Sequence, residues 1–211
     1  MPLTDDYARA GFGGRLSAGR KPALIVVDVV MAYLDRSSML YAGVESALAA
    51  NVRLVEAARA AGIMVVFTNI AYQPGGQDGG QFYRKVPALR LFEAGSALGA
   101  FPPQLQPLPH ELVVTKQYPS AFFGTSLAST LHAAGVDTLL LGGFSTSGCV
   151  RASTLDALQH GFVPFVVRQA CGDRDPAPHE ANLFDMQAKM AEVIDEPQAL
   201  DMLRSPARRQ I

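Results

Sequence analysis

Three residues of this chain, Asp28, Lys116 and Cys149, each stand where a strand-like run gives out, and their types complement one another chemically. Cys149 follows the apolar run Leu139 to Leu141, two glycines and a small polar loop, within LLLGGFSTSGCVRASTLDALQHGF. Beyond Gly148, the residues Val150, Thr154, Leu155 and Leu158 recur at helical spacing, which predicts that Cys149 lies in the first turn of a helix. Unpaired N–H groups and the positive end of the helix dipole favour an anion there, so the thiol is expected to have a lowered pKa. Position alone leaves two readings open, a thiolate nucleophile or a small buried hydrophobe. Asp28 ends the run ALIVV, and Lys116 follows Glu111 to Thr115. Singly, the aspartate reads as a cap or turn residue and the lysine as a solvated one. Together they suit nucleophilic acyl transfer: a carboxylate accepts the thiol proton, an ammonium stabilises the thiolate, and the thiolate attacks a carbonyl.

Something must bring those strand ends to one edge, and the apolar patterning supplies it. Ala23 to Val27 is short, β-branched and uninterrupted, as a parallel strand buried on both faces should be. Val44, Ala47, Leu48, Val52, Val55 and Ala58 follow helical spacing, and Gly62 ends that helix before a second strand, Ile63 to Ile70. The rest of the chain predicts a strand at Glu111 to Thr115, a helix at Thr125 to Ala134 and a strand at Thr138 to Leu141. After the helix that follows Cys149 come a strand at Phe162 to Val167, a helix at His179 to Ala191 and a short strand at Glu192 to Ile194. Such alternation implies one α/β domain over residues 1–211, with a six-stranded, mostly parallel, doubly wound sheet between two helical layers. In such sheets ligands sit outside the carboxyl ends of the strands.

Between Ala71 and His110 the periodicity fails, with QPGGQDGGQ and FPPQLQPLP dominated by Gly, Gln and Pro. A long irregular segment inside one domain reads as a site-covering loop or a subunit contact rather than a linker, with Phe82, Tyr83, Leu89, Leu91 and Phe92 as apolar anchors. Residues 1–20 read as a peripheral arm and 197–211 as a peripheral tail.

The 211 residues carry a formal net charge of -1 with dispersed Lys and Arg, which gives no basic field for nucleic acid or an anionic membrane. No apolar run approaches the roughly 18 residues needed to span a bilayer. The opening MPLTDDYARAGF carries acids where a signal peptide would be basic and then apolar, so the cytoplasm is the expected location. Cys149 and Cys171 are the only cysteines, too few for a disulfide framework, and Cys171 reads as a packing residue beyond the fifth strand. GFGG at Gly11 to Gly14 precedes the first strand and lacks the spacing of a dinucleotide fingerprint.

The motifs ALIVVDVV, VVTKQYPSAFFGTSL and GGFSTSGCVRAS, in this order and over nearly the whole chain, resemble the isochorismatase-like cysteine hydrolases. YPSAFFGTSL, FSTSGCVRASTLDALQHGF and GDRDPAPHEANLFD look closest to the branch of N-carbamoylsarcosine and maleamate amidohydrolases. The resemblance implies a six-stranded parallel sheet and a triad that cleaves the C–N bond of an amide through a thioester. Cys149 would be the nucleophile, Asp28 the general base that later protonates departing ammonia, and Lys116 their electrostatic partner. It also implies a cis peptide between Phe144 and Ser145 and an oxyanion hole made by the N–H groups of Ser145 and Cys149. Arg174, in GDRDP, resembles the arginine that holds the substrate carboxylate in this branch; the alternative is an arginine paired with Asp173 or Asp175. Thr146 would add a hydroxyl contact to substrate, and Arg151 reads as structural.

Nicotinamidases of the same superfamily carry an aspartate and closely spaced histidines for a metal after the second strand, where this chain has AYQPGGQDGGQFYRK. His110, His132, His160 and His179 are dispersed with no HxxxH pair, so no metal and no cofactor are expected. The expected partner is a small carboxylated amide, maleamate first, with N-carbamoylsarcosine or another ureido acid as alternatives. A non-catalytic relative that binds a small acid, or uses Cys149 as a redox sensor, is the reading from another class. The long loop and the resemblance together suggest a homo-oligomer, with a tetramer as the specific expectation.

Overall fold

Every residue of Ala23–Val27 is fully buried, and alternate side chains serve two different cores. Ala23, Ile25 and Val27 pack on one side with Leu139 and Leu141, while Leu24 and Val26 pack on the other with Leu140. A continuous apolar run therefore behaves as a period-two strand with no polar face, because helices cover both sides of it. The structure, a computed structural model, describes residues 3–204. Among them, strands β1 (Pro22–Val27), β2 (Met64–Ile70), β3 (Leu112–Lys116), β4 (Thr138–Phe144), β5 (Val163–Gly172) and β6 (Glu192–Ile194) form one sheet. Its order is β3-β2-β1-β4-β5-β6, and every neighbouring pair is parallel. The chain runs outward from β1 through β2 to β3, then returns to the other side of β1 as β4. That reversal opens a crevice at the carboxyl ends of β1 and β4.

Helices α1 (Leu3–Arg9), α2 (Glu45–Ala60), α3 (Gly80–Lys85), α4 (Leu127–Ala133), α5 (Arg151–Gln159), α6 (Pro176–Lys189) and α7 (Glu196–Arg204) complete the described chain. Asp175 caps α6 by accepting the Ala177 N–H at 2.8 Å, and Pro176 fills the first turn, where no N–H is needed.

The sequence reading needs correction at three places. First, β4 does not stop at the glycines but runs through them to Phe144. Gly143 has φ 125°, and a Cβ there would fall 1.9 Å from the Val27 carbonyl oxygen. The glycines are thus part of a close approach of strands, which periodicity misreads as a turn. Second, β5 continues to Gly172 past a register shift against β4, which puts Cys171 inside the strand, where it is buried. Third, residues 197–204 are not a peripheral tail: they belong to α7, which buries Ala199, Met202 and Leu203. The remainder of that tail, 205–211, lies outside the described residues.

The segment 71–110 contains α3 and short 3₁₀ turns at Pro74–Gly76, Pro87–Phe92 and Ala97–Gly99. Tyr72, Leu89 and Phe92 are buried and form a satellite core with Val30, Ala32 and Ile70, on the carboxyl edge of the sheet. Tyr72 and Phe92 are joined through their backbones, the Tyr72 N–H donating to the Phe92 carbonyl at 2.9 Å. Single turns are too short for any period to show in the sequence.

Candidate active site

Asp28 leaves β1 with φ 49°, a left-handed conformation that aspartate tolerates better than most residues and that turns its side chain into the crevice. Thr68 on β2 fixes it twice: its hydroxyl donates to Asp28 Oδ1 at 2.6 Å and accepts the Asp28 N–H at 3.0 Å. The other carboxylate oxygen, Oδ2, lies 2.6 Å from Lys116 Nζ in an ion pair whose two side chains are fully buried. Beyond that ion pair Oδ2 has no hydrogen-bond partner among the described residues. Lys116, the last residue of β3, also donates to the Tyr118 carbonyl at 3.1 Å and to Cys149 Sγ at 3.5 Å. One ammonium thus touches both the acid and the sulfur.

Cys149 does not occupy the first turn of an ordinary α-helix. Thr146–Val150 forms one π-helical turn that runs directly into α5. The Ser145 carbonyl accepts from the N–H groups of Gly148 and Val150, both at 3.1 Å, and not from Cys149. The Ser145 N–H likewise makes no hydrogen bond among the described residues. The Phe144–Ser145 peptide is cis. Of the two N–H groups named from the sequence, that of Cys149 belongs to the turn and that of Ser145 to the extended residue that caps it.

The expected depression of the thiol pKa is overturned. Cys149 is 6% exposed. Burial pushes the thiol up to about 12; the Lys116 charge opposes this, and the Asp28 charge adds to it. Desolvation is the largest effect on the thiol, and it favours the protonated form. For Lys116, burial favours the neutral amine, but the Asp28 carboxylate beside it leads the opposing effects, and the pKa is raised, so the ammonium persists.

Arg174 is exposed, and its guanidinium donates to the Met39 carbonyl at 3.2 Å. It forms no ion pair with Asp173 or Asp175; Asp173 instead accepts the N–H of Ser147 at 2.7 Å through Oδ2. Thr146 is fully buried, and its hydroxyl sits 2.8 Å from His179 Nδ1. Arg151 follows the π turn as the first residue of α5.

Sequence reasoning missed Thr68, Tyr33 and His179. Thr68 had a signal, a lone hydroxyl in the otherwise apolar start of MVVFTNI. Tyr33 lies in a short 3₁₀ turn after β1, with its ring against Phe92 and Phe144. Burial raises its phenol well above the ordinary value; the charges of Cys149, Asp28 and Tyr72 add to this, and that of Arg174 opposes it. Among the described residues no three His, Cys, Asp or Glu side chains gather as a metal site.

A doubly wound parallel sheet, with an acid, a lysine and a cysteine converging at its switch point, defines an α/β enzyme of the cysteine-hydrolase type. A family model described as the isochorismatase domain matches residues 22–198, and the chain belongs to that family. Maleamate amidohydrolase of Pseudomonas putida is 48% identical over 202 residues, covering 95% of this chain and 94% of the relative. N-carbamoylsarcosine amidase of an Arthrobacter species is 34% identical over 196 residues, covering 90% of this chain and 74% of the relative. The crystal structure of a cysteine hydrolase from Pseudomonas syringae pv. phaseolicola matches with a TM-score of 0.85 at 21% identity, covering 92% of this chain and 98% of the other, a likeness of fold.

Proposed function

We propose that this protein is a cysteine amidohydrolase that converts maleamate and water to maleate and ammonia. The observation that carries the reading is the buried contact of Lys116 Nζ with both Asp28 Oδ2, at 2.6 Å, and Cys149 Sγ, at 3.5 Å. The similarity to the maleamate amidohydrolase of Pseudomonas putida over most of both chains supports the choice of substrate.

Burial favours the protonated thiol, so its proton leaves as sulfur attacks. Asp28 Oδ2 takes the proton while Sγ bonds to the amide carbon and the carbonyl π electrons move to oxygen. Lys116 offsets the negative charge passing between sulfur and carboxylate. The Ser145 and Cys149 N–H groups take the oxyanion, an interaction whose loss typically costs about 3 kcal/mol of transition-state stabilisation. Collapse breaks the C–N bond, Asp28 returns the proton to nitrogen, and ammonia departs from a thioester. Water then attacks the acyl carbon, Asp28 accepts its proton, the C–S bond breaks, and the sulfur is reprotonated as the carboxylic acid leaves. Arg174 and Tyr33 are the groups assigned to the substrate's distal carboxylate, the arginine through its planar fork of donors. This is a small-molecule reaction with no cofactor in any step.

Ammonia release from maleamate, N-carbamoylsarcosine, ureidoacrylate and nicotinamide tests the substrate. Maleamate is expected to give the highest kcat/KM; preference for a ureido acid would reassign the substrate within the same mechanism. No turnover of any amide, with reversible oxidation of Cys149 instead, would replace the reading by a redox sensor. The buried thiol with its raised pKa argues against that role, which favours low-pKa, accessible cysteines.

A further inference from the structure

The π turn that carries Cys149, and that Ser145 caps, is tied to its surroundings by two bonds that the mechanism above does not use. Asp173, between β5 and α6, accepts the Ser147 N–H at 2.7 Å. His179, in α6, holds the fully buried Thr146 hydroxyl at 2.8 Å through Nδ1. The far ring nitrogen, Nε2, lies 3.9 Å from Glu180 Oε1; we assign the proton of the neutral ring to that side, toward the carboxylate, which leaves Nδ1 as the acceptor of the Thr146 O–H. Thr146 immediately follows Ser145, whose carbonyl anchors the turn.

We propose that His179 is a positioning residue for catalysis: through Thr146 Oγ1 it fixes the turn that presents the Ser145 N–H and the Cys149 thiol, and protonation of its ring releases that fixing. The inference rests on the amidohydrolase reading. Its physical basis is the reversal of one hydrogen bond. A protonated ring donates at Nδ1, so the Thr146 hydroxyl must turn to accept, and its own hydrogen is stranded in a buried site, a costly state. The charged groups facing the imidazole are Glu180 on its own helix, Arg168 on β5 and Asp173 in the connection between them. Arg168 is itself bound to Glu180 at 2.6 Å. Burial lowers the imidazole pKa below 6.5, against Glu180, with Arg168 and against Asp173, so the ring is neutral at neutral pH and the turn loosens only on acidification.

The test measures ammonia release from maleamate between about pH 5 and 8, where an imidazole titrates. It compares the wild type with H179A, H179N, H179Q, T146V, H179A/T146V and C149A. H179A is expected to lose roughly 10- to 100-fold in kcat, the scale of a small misplacement of reacting groups, with KM changed less than about twofold. H179N, whose Oδ1 takes the place of Nδ1, recovers most of kcat and loses the acidic fall seen in the wild type. H179Q, whose acceptor reaches instead toward the Nε2 position, does not recover. T146V matches H179A, and the double variant is no worse than either single one. Independently of any substrate, iodoacetamide labelling of Cys149, read by mass, is faster in H179A and T146V than in the wild type and H179N. Full kcat in H179A, an acidic fall that persists in H179N, equal rescue by Gln, or unchanged labelling would each overturn the role of His179. If H179A does not fold, the contrast of Asn with Gln decides the matter. Activity retained in C149A would instead sink the underlying reaction and leave the labelling result to judge His179.

Discussion

Lys116 spends no surface on solvent, and that is what makes it informative. A buried ammonium stands only when its partners outweigh the desolvation it suffers, and here those partners are the two groups that exchange a proton in the proposed reaction. Lys116→Met keeps the volume and strands the Asp28 carboxylate, so unfolding in urea should show a loss of about 3–5 kcal/mol together with loss of activity. Adding Asp28→Asn should restore most of the stability and none of the activity; recovery of both would remove the pair from the chemistry. The thiols make a second prediction. Cys149 and Cys171 are both raised by burial from an ordinary 9.0 to about 12. Their contribution to stability is complete below the unfolded pKa and is lost as pH rises from about 9 to about 12, because the unfolded chain then releases protons that the native chain retains. Urea midpoints should fall across that window, and fall less in Cys171→Ala. Asp28, Lys116 and Cys149 were legible in the sequence because each lies at or shortly beyond the carboxyl end of a strand. Thr68 and His179 were not, because their bonds join residues 40 and 33 positions apart, and no local pattern encodes such pairs.

At the scale of elements, the site depends on how β4 gives way to α5. The sequence reading ended the strand at Leu141, before Gly142, because glycine usually marks a turn. In the fold, a Cβ on Gly142 would lie 2.7 Å from Asn51 Oδ1 and 2.8 Å from the Ala170 Cβ, and Gly143 is tighter still. The strand therefore persists to Phe144, and the turn to Cys149 starts three residues later than the apolar run indicates. Gly143→Ala is expected to cost more than about 3 kcal/mol, since its Cβ would meet the backbone of Val27 rather than a side chain that can yield. Thermal unfolding checks this; a midpoint equal to that of the wild type would mean the two strands can separate without penalty. The π turn was equally invisible, because it differs from an α-helical first turn by a single residue of hydrogen-bond register.

For the whole molecule, the order of strands carries the function. The alternation of apolar runs and amphipathic stretches was enough to read a doubly wound parallel sheet, and the rule that ligands gather at its carboxyl edge then selected Asp28, Lys116 and Cys149 from all other polar residues. What the pattern could not give was the segment 71–110, built from turns and anchored by Tyr72, Leu89 and Phe92, or α7, whose short amphipathic face follows a strand of only three residues. We propose that 71–110 closes the crevice or meets a second copy of the chain in a homo-oligomer. The account as a whole requires the sulfur of Cys149 to form and break a bond in every turnover. Ammonia release from maleamate by the wild type and by Cys149→Ala, a change that leaves Asp28 and Lys116 paired, is the direct measurement. The wild type should release one ammonia per maleate formed and the variant none above the uncatalysed background; turnover by Cys149→Ala at a rate near that of the wild type would contradict the account.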